Sequence, residues 1–217
     1  MNGFGCCDGV HSTVFVYGTL KKGQPNYHHF HNLENGKAKF IARGHTEVAY
    51  PLIIATRWNL PFLLFAPGKG MIVEGEIYEV DSNMMAWMDD FEGHPEVYQR
   101  EKIRIVTADN RGLLSNNSGK RIVDCWVYFL KKFPPGLMSL TALNSYDTAG
   151  DHGKYYKEEN LNPGLFKREF PKYKFQLLKV SRNGVKDLSG PDTIFEALQE
   201  ECDYQYDGKL ALPIHHN

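Results

Sequence analysis

Strand-like segments dominate this chain and one well-signalled helix interrupts them, an imbalance that limits the folds open to it. Alternation is clearest over residues 121–130, where Ile122, Asp124, Trp126 and Tyr128 point one way and Val123, Cys125, Val127 and Phe129 the other. Further strand candidates cover 13–18, 37–49, 61–66, 70–80 and 97–107. Strands in such excess argue against a regular βαβ repeat and for an α+β chain built on a mixed sheet or small barrel. The helix follows the 70–80 strand. Asp81 can cap it, Met84, Met85, Met88 and Phe91 form an apolar core stripe, Gly93 can end it, and Pro95 prevents its continuation.

At 217 residues the chain can bury one sizeable core with room for an appendage. Hydrophobic residues make up 42% and charged residues 24%, the balance of a folded domain and not of a disordered chain. A net charge of −1 gives no footprint for nucleic acid as the main partner. No apolar run approaches the roughly 20 residues of a membrane helix. The N-terminus lacks a basic start and a long apolar core, so a secretory signal is not expected and the cytosol is. Cys6, Cys7, Cys125 and Cys202 show no Cys-x-x-Cys spacing, which argues against a zinc site or a disulfide framework. Asn116-Asn117-Ser118 matches a glycosylation sequon and, without a secretory signal, reads as chance. His28, His29 and His31 have no matching ligand cluster and read as a polar helix face, so no metal is expected.

Residues 1–12 are Gly-rich and lack periodicity, which marks a flexible N-terminus. Residues 161–217 read as an addition to the domain that precedes them. Their first half, 161–186, is basic and their second, 187–217, is acidic, so the halves could pair or dock on the main domain. Ser189-Gly190-Pro191 opens a short helical segment there, with Ile194, Phe195 and Leu198 on one face.

Two segments carry chemistry. The apolar run Val14-Phe15-Val16-Tyr17 breaks at Gly18-Thr19-Leu20, and successive free N–H groups past a strand end can cradle an anion such as a carboxylate. Asp89-Asp90-Phe91-Glu92-Gly93 puts Glu92 at the helix C-terminus, where unpaired carbonyls disfavour its charged form. Such a violation of local rules is expected at a functional site. A cradle and a carboxylate of raised proton affinity suit a substrate bearing an α-amino acid head and a γ-carbonyl. The cradle holds the α-carboxylate, Glu92 takes a proton from the α-ammonium, and the amine closes a five-membered ring on the γ-carbonyl, expelling an amine. That chemistry requires neither a cofactor nor a covalent nucleophile.

Tyr17-Gly18-Thr19-Leu20-Lys21-Lys22-Gly23-Gln24-Pro25-Asn26 with Asp89-Asp90-Phe91-Glu92 resembles the γ-glutamylcyclotransferase superfamily, and within it the γ-glutamylamine branch. Tyr50-Pro51-Leu52, Val73-Glu74-Gly75-Glu76, Tyr98-Gln99-Arg100, Phe133-Pro134-Pro135 and Ser145-Tyr146-Asp147 extend the resemblance across residues 13–160, and it stops before 161–217. The resemblance implies a small mixed β-barrel with flanking helices. It also implies release of 5-oxoproline from γ-glutamyl amines such as γ-glutamyl-ε-lysine, with no cofactor. Glu92 falls on the family's acid/base, and Tyr17, Gly18, Thr19 and Leu20 on its substrate-binding loop. Tyr98 is a further substrate-binding candidate, its hydroxyl reading equally as a contact to Glu92 or substrate and as a satisfied core group. Arg100 shares a strand face with Tyr98 and is expected to pair with a carboxylate, while Asp89 and Asp90 read as solvent or capping groups. The alternatives are a cyclotransferase for γ-glutamyl amino acids or glutathione, and a non-catalytic binding module on the same barrel. Oligomeric state is not legible.

Overall fold

The computed structural model describes residues 11–55, 59–108, 120–133 and 135–156. The sequence-based expectations for residues 1–10, the sequon at 116–118, Cys202 and the whole of 161–217 lie outside them.

The strands are β1 (Ser12–Val16), β2 (Ala38–Thr46), β3 (Leu52–Ala55), β4 (Leu60–Leu63), β5 (Glu74–Val80), β6 (Gln99–Ala108) and β7 (Lys120–Phe129). A single α-helix, α1 (Ser82–Phe91), lies among the described residues, along with 3-10 turns at Tyr27–His31 and Pro135–Ser139. Five strands close a barrel in the order β1-β5-β2-β6-β7, and the seam is a parallel contact of β1 with β7 at Val14 and Trp126. The other pairings are antiparallel, so the barrel is mixed as the sequence pattern predicts.

Period-two alternation builds two apolar layers from the same strands. Phe15, Ile77, Ile105, Cys125, Val127 and Phe129 fill the barrel. Val14, Val16, Tyr78, Val80 and Tyr128 face outward and pack instead against α1 through Met84, Met85 and Met88. Burying each methionine is worth about 1.5–3 kcal/mol. Asp81 caps the helix as expected, accepting from the Met84 N–H at 2.8 Å.

The hairpin β3–β4 differs from the sequence reading, which places no strand at 52–55. Leu52-Ile53-Ile54 is a continuous apolar run with no alternation to betray it, because all three are buried. The hairpin is tied in by Leu64–Leu130 and Leu52–Leu143 bridges, and Pro61 of β4 lies against Gly18 in the loop that leaves β1.

Candidate active site

The loop after β1 is shaped by a contact that admits only glycine. A Cβ on Gly18 would lie 2.9 Å from Pro61 Cγ, so the loop settles onto β4 because no side chain intervenes. Asn26 then ties the loop from the other side: its N–H donates to Thr19 O at 3.0 Å and its side-chain amide to Thr19 Oγ1 at 3.0 Å. Lys21 Nζ reaches across to Tyr146 O at 2.6 Å and Ser145 Oγ at 3.3 Å, and the Gln24 amide nitrogen donates to Asp147 Oδ1 at 3.2 Å. So fixed, the N–H groups of Gly18, Thr19 and Leu20 have no partner among the described residues.

Glu92 is placed by the way α1 stops. Gly93 takes a left-handed conformation at φ 62°. Its N–H donates to Asp90 O at 3.1 Å and the His94 N–H donates to Asp89 O at 2.8 Å, the two bonds of a Schellman ending. Glu92 is therefore the C-cap, and its side chain lines a cavity of about 280 Å³. The cavity also contains Tyr17, Gly18, Thr19, Leu20 and Tyr98, so every site residue read from the sequence converges on one space.

Part of the Glu92 surface opens into this cavity, while protein encloses it elsewhere. No cation pairs with it among the described residues. Burial pushes its pKa up to about 8. The phenols around it are also held neutral: burial first, then the Glu92 charge, raises Tyr17, and burial, Tyr17 and Glu92 raise Tyr98. Both hydroxyls are already spent on carbonyls. Tyr17 donates to Tyr128 O at 2.9 Å and Tyr98 to Pro61 O at 3.3 Å, so Tyr98, the residue before β6, braces the start of that strand against β4.

Asp89 differs from its sequence reading as a solvent or capping group. It is half-buried, accepts from Tyr128 Oη at 2.7 Å and pairs with Arg100 at 3.2 Å, and the Arg100 guanidinium stacks over Trp126 at 5.1 Å. Arg100 thus finds the protein carboxylate that the sequence led one to expect. The cluster clamps the last turn of α1 to β6 and β7, one helical turn before Glu92.

His28 and His29 also depart from a plain polar face. Both line the cavity, and His29 lies against Trp87 and Phe91 at 4.9 and 5.6 Å between ring centroids. Tyr128, Asn26, Pro61 and Tyr156 were not singled out from sequence and line it too, apart from Asn26's mention at the end of the loop motif. Among the described residues no group of three or more His, Cys, Asp or Glu is arranged to hold a metal ion, and no helix is long and apolar enough to cross a membrane.

A barrel with this carboxylate and this loop defines the class. The chain belongs to the family described as gamma-glutamyl cyclotransferase, AIG2-like, which it matches over residues 14–159. It is 44% identical over 149 residues to the gamma-glutamylaminecyclotransferase of Homo sapiens, a match covering 68% of this chain and 97% of the human protein. To gamma-glutamylaminecyclotransferase C of Danio rerio it is 47% identical over 140 residues, covering 64% of this chain and 89% of the relative. The crystal structure of an AIG2-like protein from Mus musculus superposes with a TM-score of 0.62 at 41% identity, covering 69% of this chain and 97% of that one.

Proposed function

We propose that this protein is a γ-glutamylamine cyclotransferase, a lyase that releases 5-oxoproline and a free amine from γ-glutamyl amines. The observation that carries this reading is Glu92, an unpaired carboxylate facing a cavity shared with the free amides of residues 18–20, in a chain of the cyclotransferase family. The 44% and 47% identities to relatives named for the amine reaction favour it over the glutathione alternative.

The substrate's α-carboxylate seats on the N–H groups of the loop, and its α-ammonium supplies the positive charge that Glu92 lacks. Burial brings the carboxyl's proton affinity close to that of the ammonium, which eases proton transfer between them. The freed amine nitrogen attacks the γ-carbonyl carbon and the carbonyl π pair moves to oxygen, where loop N–H donors can meet it. The oxyanion collapses, the γ-carbon–nitrogen bond breaks, and the proton held by Glu92 passes to the departing amine. Glu92, ionised again, takes the second proton from the ring nitrogen, which leaves the neutral lactam of 5-oxoproline. Nucleophile and electrophile belong to one molecule, so the substrate brings its own proximity advantage, and the site adds to it by holding the two in register.

Residues 13–160 are the catalytic unit in this reading, and 161–217 an extension. The net charge of −1 and the free, buried Cys125 support a cytosolic enzyme with a small-molecule substrate and no nucleic-acid partner. The test is 5-oxoproline release from γ-glutamyl-ε-lysine and from glutathione by wild type and Glu92→Gln. Wild type is expected to act on the first, and the substitution to lower kcat by roughly 10²–10⁴. Equal rates in the two proteins would remove Glu92 from the chemistry.

A further inference from the structure

The loop after β1 borders two cavities. Gly18, Thr19 and Leu20 line the one that holds Glu92, while Lys21, Lys22 and Gln24 line a second, of about 470 Å³. Glu76 on β5 lines the second cavity and takes no part in the chemistry described above. At 5% exposure it is the one carboxylate among the buried polar side chains of the described residues, and it forms no ion pair among them. A buried carboxylate is costly unless hydrogen bonds satisfy it. Here Oε2 accepts twice, from the Lys22 N–H at 2.8 Å and from Tyr78 Oη at 2.9 Å. Gly75 makes this placement possible. A Cβ on it would lie 2.4 Å from Val16 O, so β5 runs close against the end of β1 and sets Glu76 opposite Val16, the last strand residue before the loop.

The bond to Lys22 falls at the exit of the turn that carries the free amides. The Lys21 N–H donates to Gly18 O at 3.2 Å, which closes the turn over 18–21, and the Gln24 N–H donates to Lys21 O at 2.9 Å. Glu76 therefore fixes the one remaining group of the peptide unit between Lys21 and Lys22, its N–H. It also acts on the Lys21 ammonium: burial lowers the Lys21 pKa, and Glu76 is first among the carboxylates that oppose the fall.

We propose that Glu76 is a positioning residue for the reaction, holding the turn so that the N–H groups of residues 18–20 stay aimed at the substrate's α-carboxylate. The inference rests on the cyclotransferase reading, which seats that carboxylate on the loop. Free amides crowded on one face of a turn repel one another, and without substrate the turn gains by rotating them toward water. A charged acceptor behind the loop resists that rotation more firmly than a neutral one, so the substrate binds without first having to order the turn. Glu76 touches no reacting atom, and its loss belongs in KM and not in kcat.

The experiment measures kcat and KM for 5-oxoproline release from γ-glutamyl-ε-lysine, with melting temperature alongside, for wild type, Glu76→Gln and Glu76→Ala. Glu76→Ala strips the Lys22 N–H of its acceptor, and KM is expected to rise about tenfold or more with kcat within about threefold of wild type. Glu76→Gln keeps an acceptor oxygen without the charge and should raise KM about threefold. An earlier melt at unchanged KM in Glu76→Ala would make Glu76 a group of the fold alone and overturn the proposal. A loss carried by kcat at constant KM would overturn it too. Glu76→Gln keeps the size of the side chain, and an unchanged KM there decides against the proposal if the alanine variant does not fold. No release by wild type sinks the cyclotransferase reading itself, whereas an active wild type with insensitive variants sinks only the role of Glu76.

Discussion

At the scale of a residue, Glu92 works against the stability of the chain that holds it. An exposed glutamate titrates near 4.3, whereas burial holds Glu92 near 8 in the folded protein. Between those values the folded state keeps a proton that the unfolded chain has released, so stability is greatest on the acid side and falls as pH rises toward 8. The ceiling of that loss is about 5 kcal/mol, and the opening to solvent through the cavity reduces it. Glu92→Gln should therefore match wild type in melting temperature near pH 4–5 and exceed it increasingly toward pH 8. Parallel melting curves across that range would contradict the raised affinity. Activity follows the opposite sign, and kcat/KM should climb from pH 6 to about 8 as the base ionises. Asp89 offers a second test. Asp89→Asn leaves Arg100 without its charge partner, and a loss of about 3–5 kcal/mol applies only to a fully buried pair. Here both side chains keep about a quarter of their surface exposed, 24% and 25%, so a loss nearer 1–2 kcal/mol in chemical denaturation is expected.

At the scale of an element, legibility followed sequence distance. The helix α1 could be read in full because its cap, its methionine stripe and its terminating glycine all lie within a dozen residues of one another. Glu92 was legible for the same reason: a carboxylate before a terminating glycine announces its odd position locally. The partners of Asp89 were not, since Tyr128 lies 39 residues away on β7 and nothing near Asp89 marks the pairing. Tyr128 itself alternates with Ile122, which is 51% exposed, and only the placement of α1 over one end of that face buries the tyrosine. The strand β3 escaped notice because burial on both faces erases the alternation that reveals a strand. The Schellman ending makes its own prediction. Gly93→Ala forces a left-handed alanine and brings a Cβ to 3.0 Å from Val97. A loss of about 1–2 kcal/mol is expected from the backbone alone. Since Glu92 is the preceding residue, kcat should fall with it; a stability loss at unchanged kcat would separate the helix end from the chemistry.

At the scale of the molecule, the barrel is the part shared with relatives. The human enzyme is matched over 97% of its length by 149 residues of this chain, so a protein of that size suffices for the relative. Deleting residues 161–217 is accordingly expected to leave kcat/KM for γ-glutamyl-ε-lysine within about twofold of the full chain. A larger fall would make the extension part of the catalytic unit. The seam of the barrel has a consequence for how the protein is made. Thr13 Oγ1 donates to Asp124 O and Tyr17 Oη to Tyr128 O, each across 111 residues, so β1 is closed by the last barrel strand. Within the barrel, the glycine loop is synthesised before every strand but β1 and is locked only when β7 is in place. Until β7 has cleared the exit tunnel, β1 waits with an unpaired edge, so the loop and Glu92 are both made before the barrel that brings them to one cavity has closed.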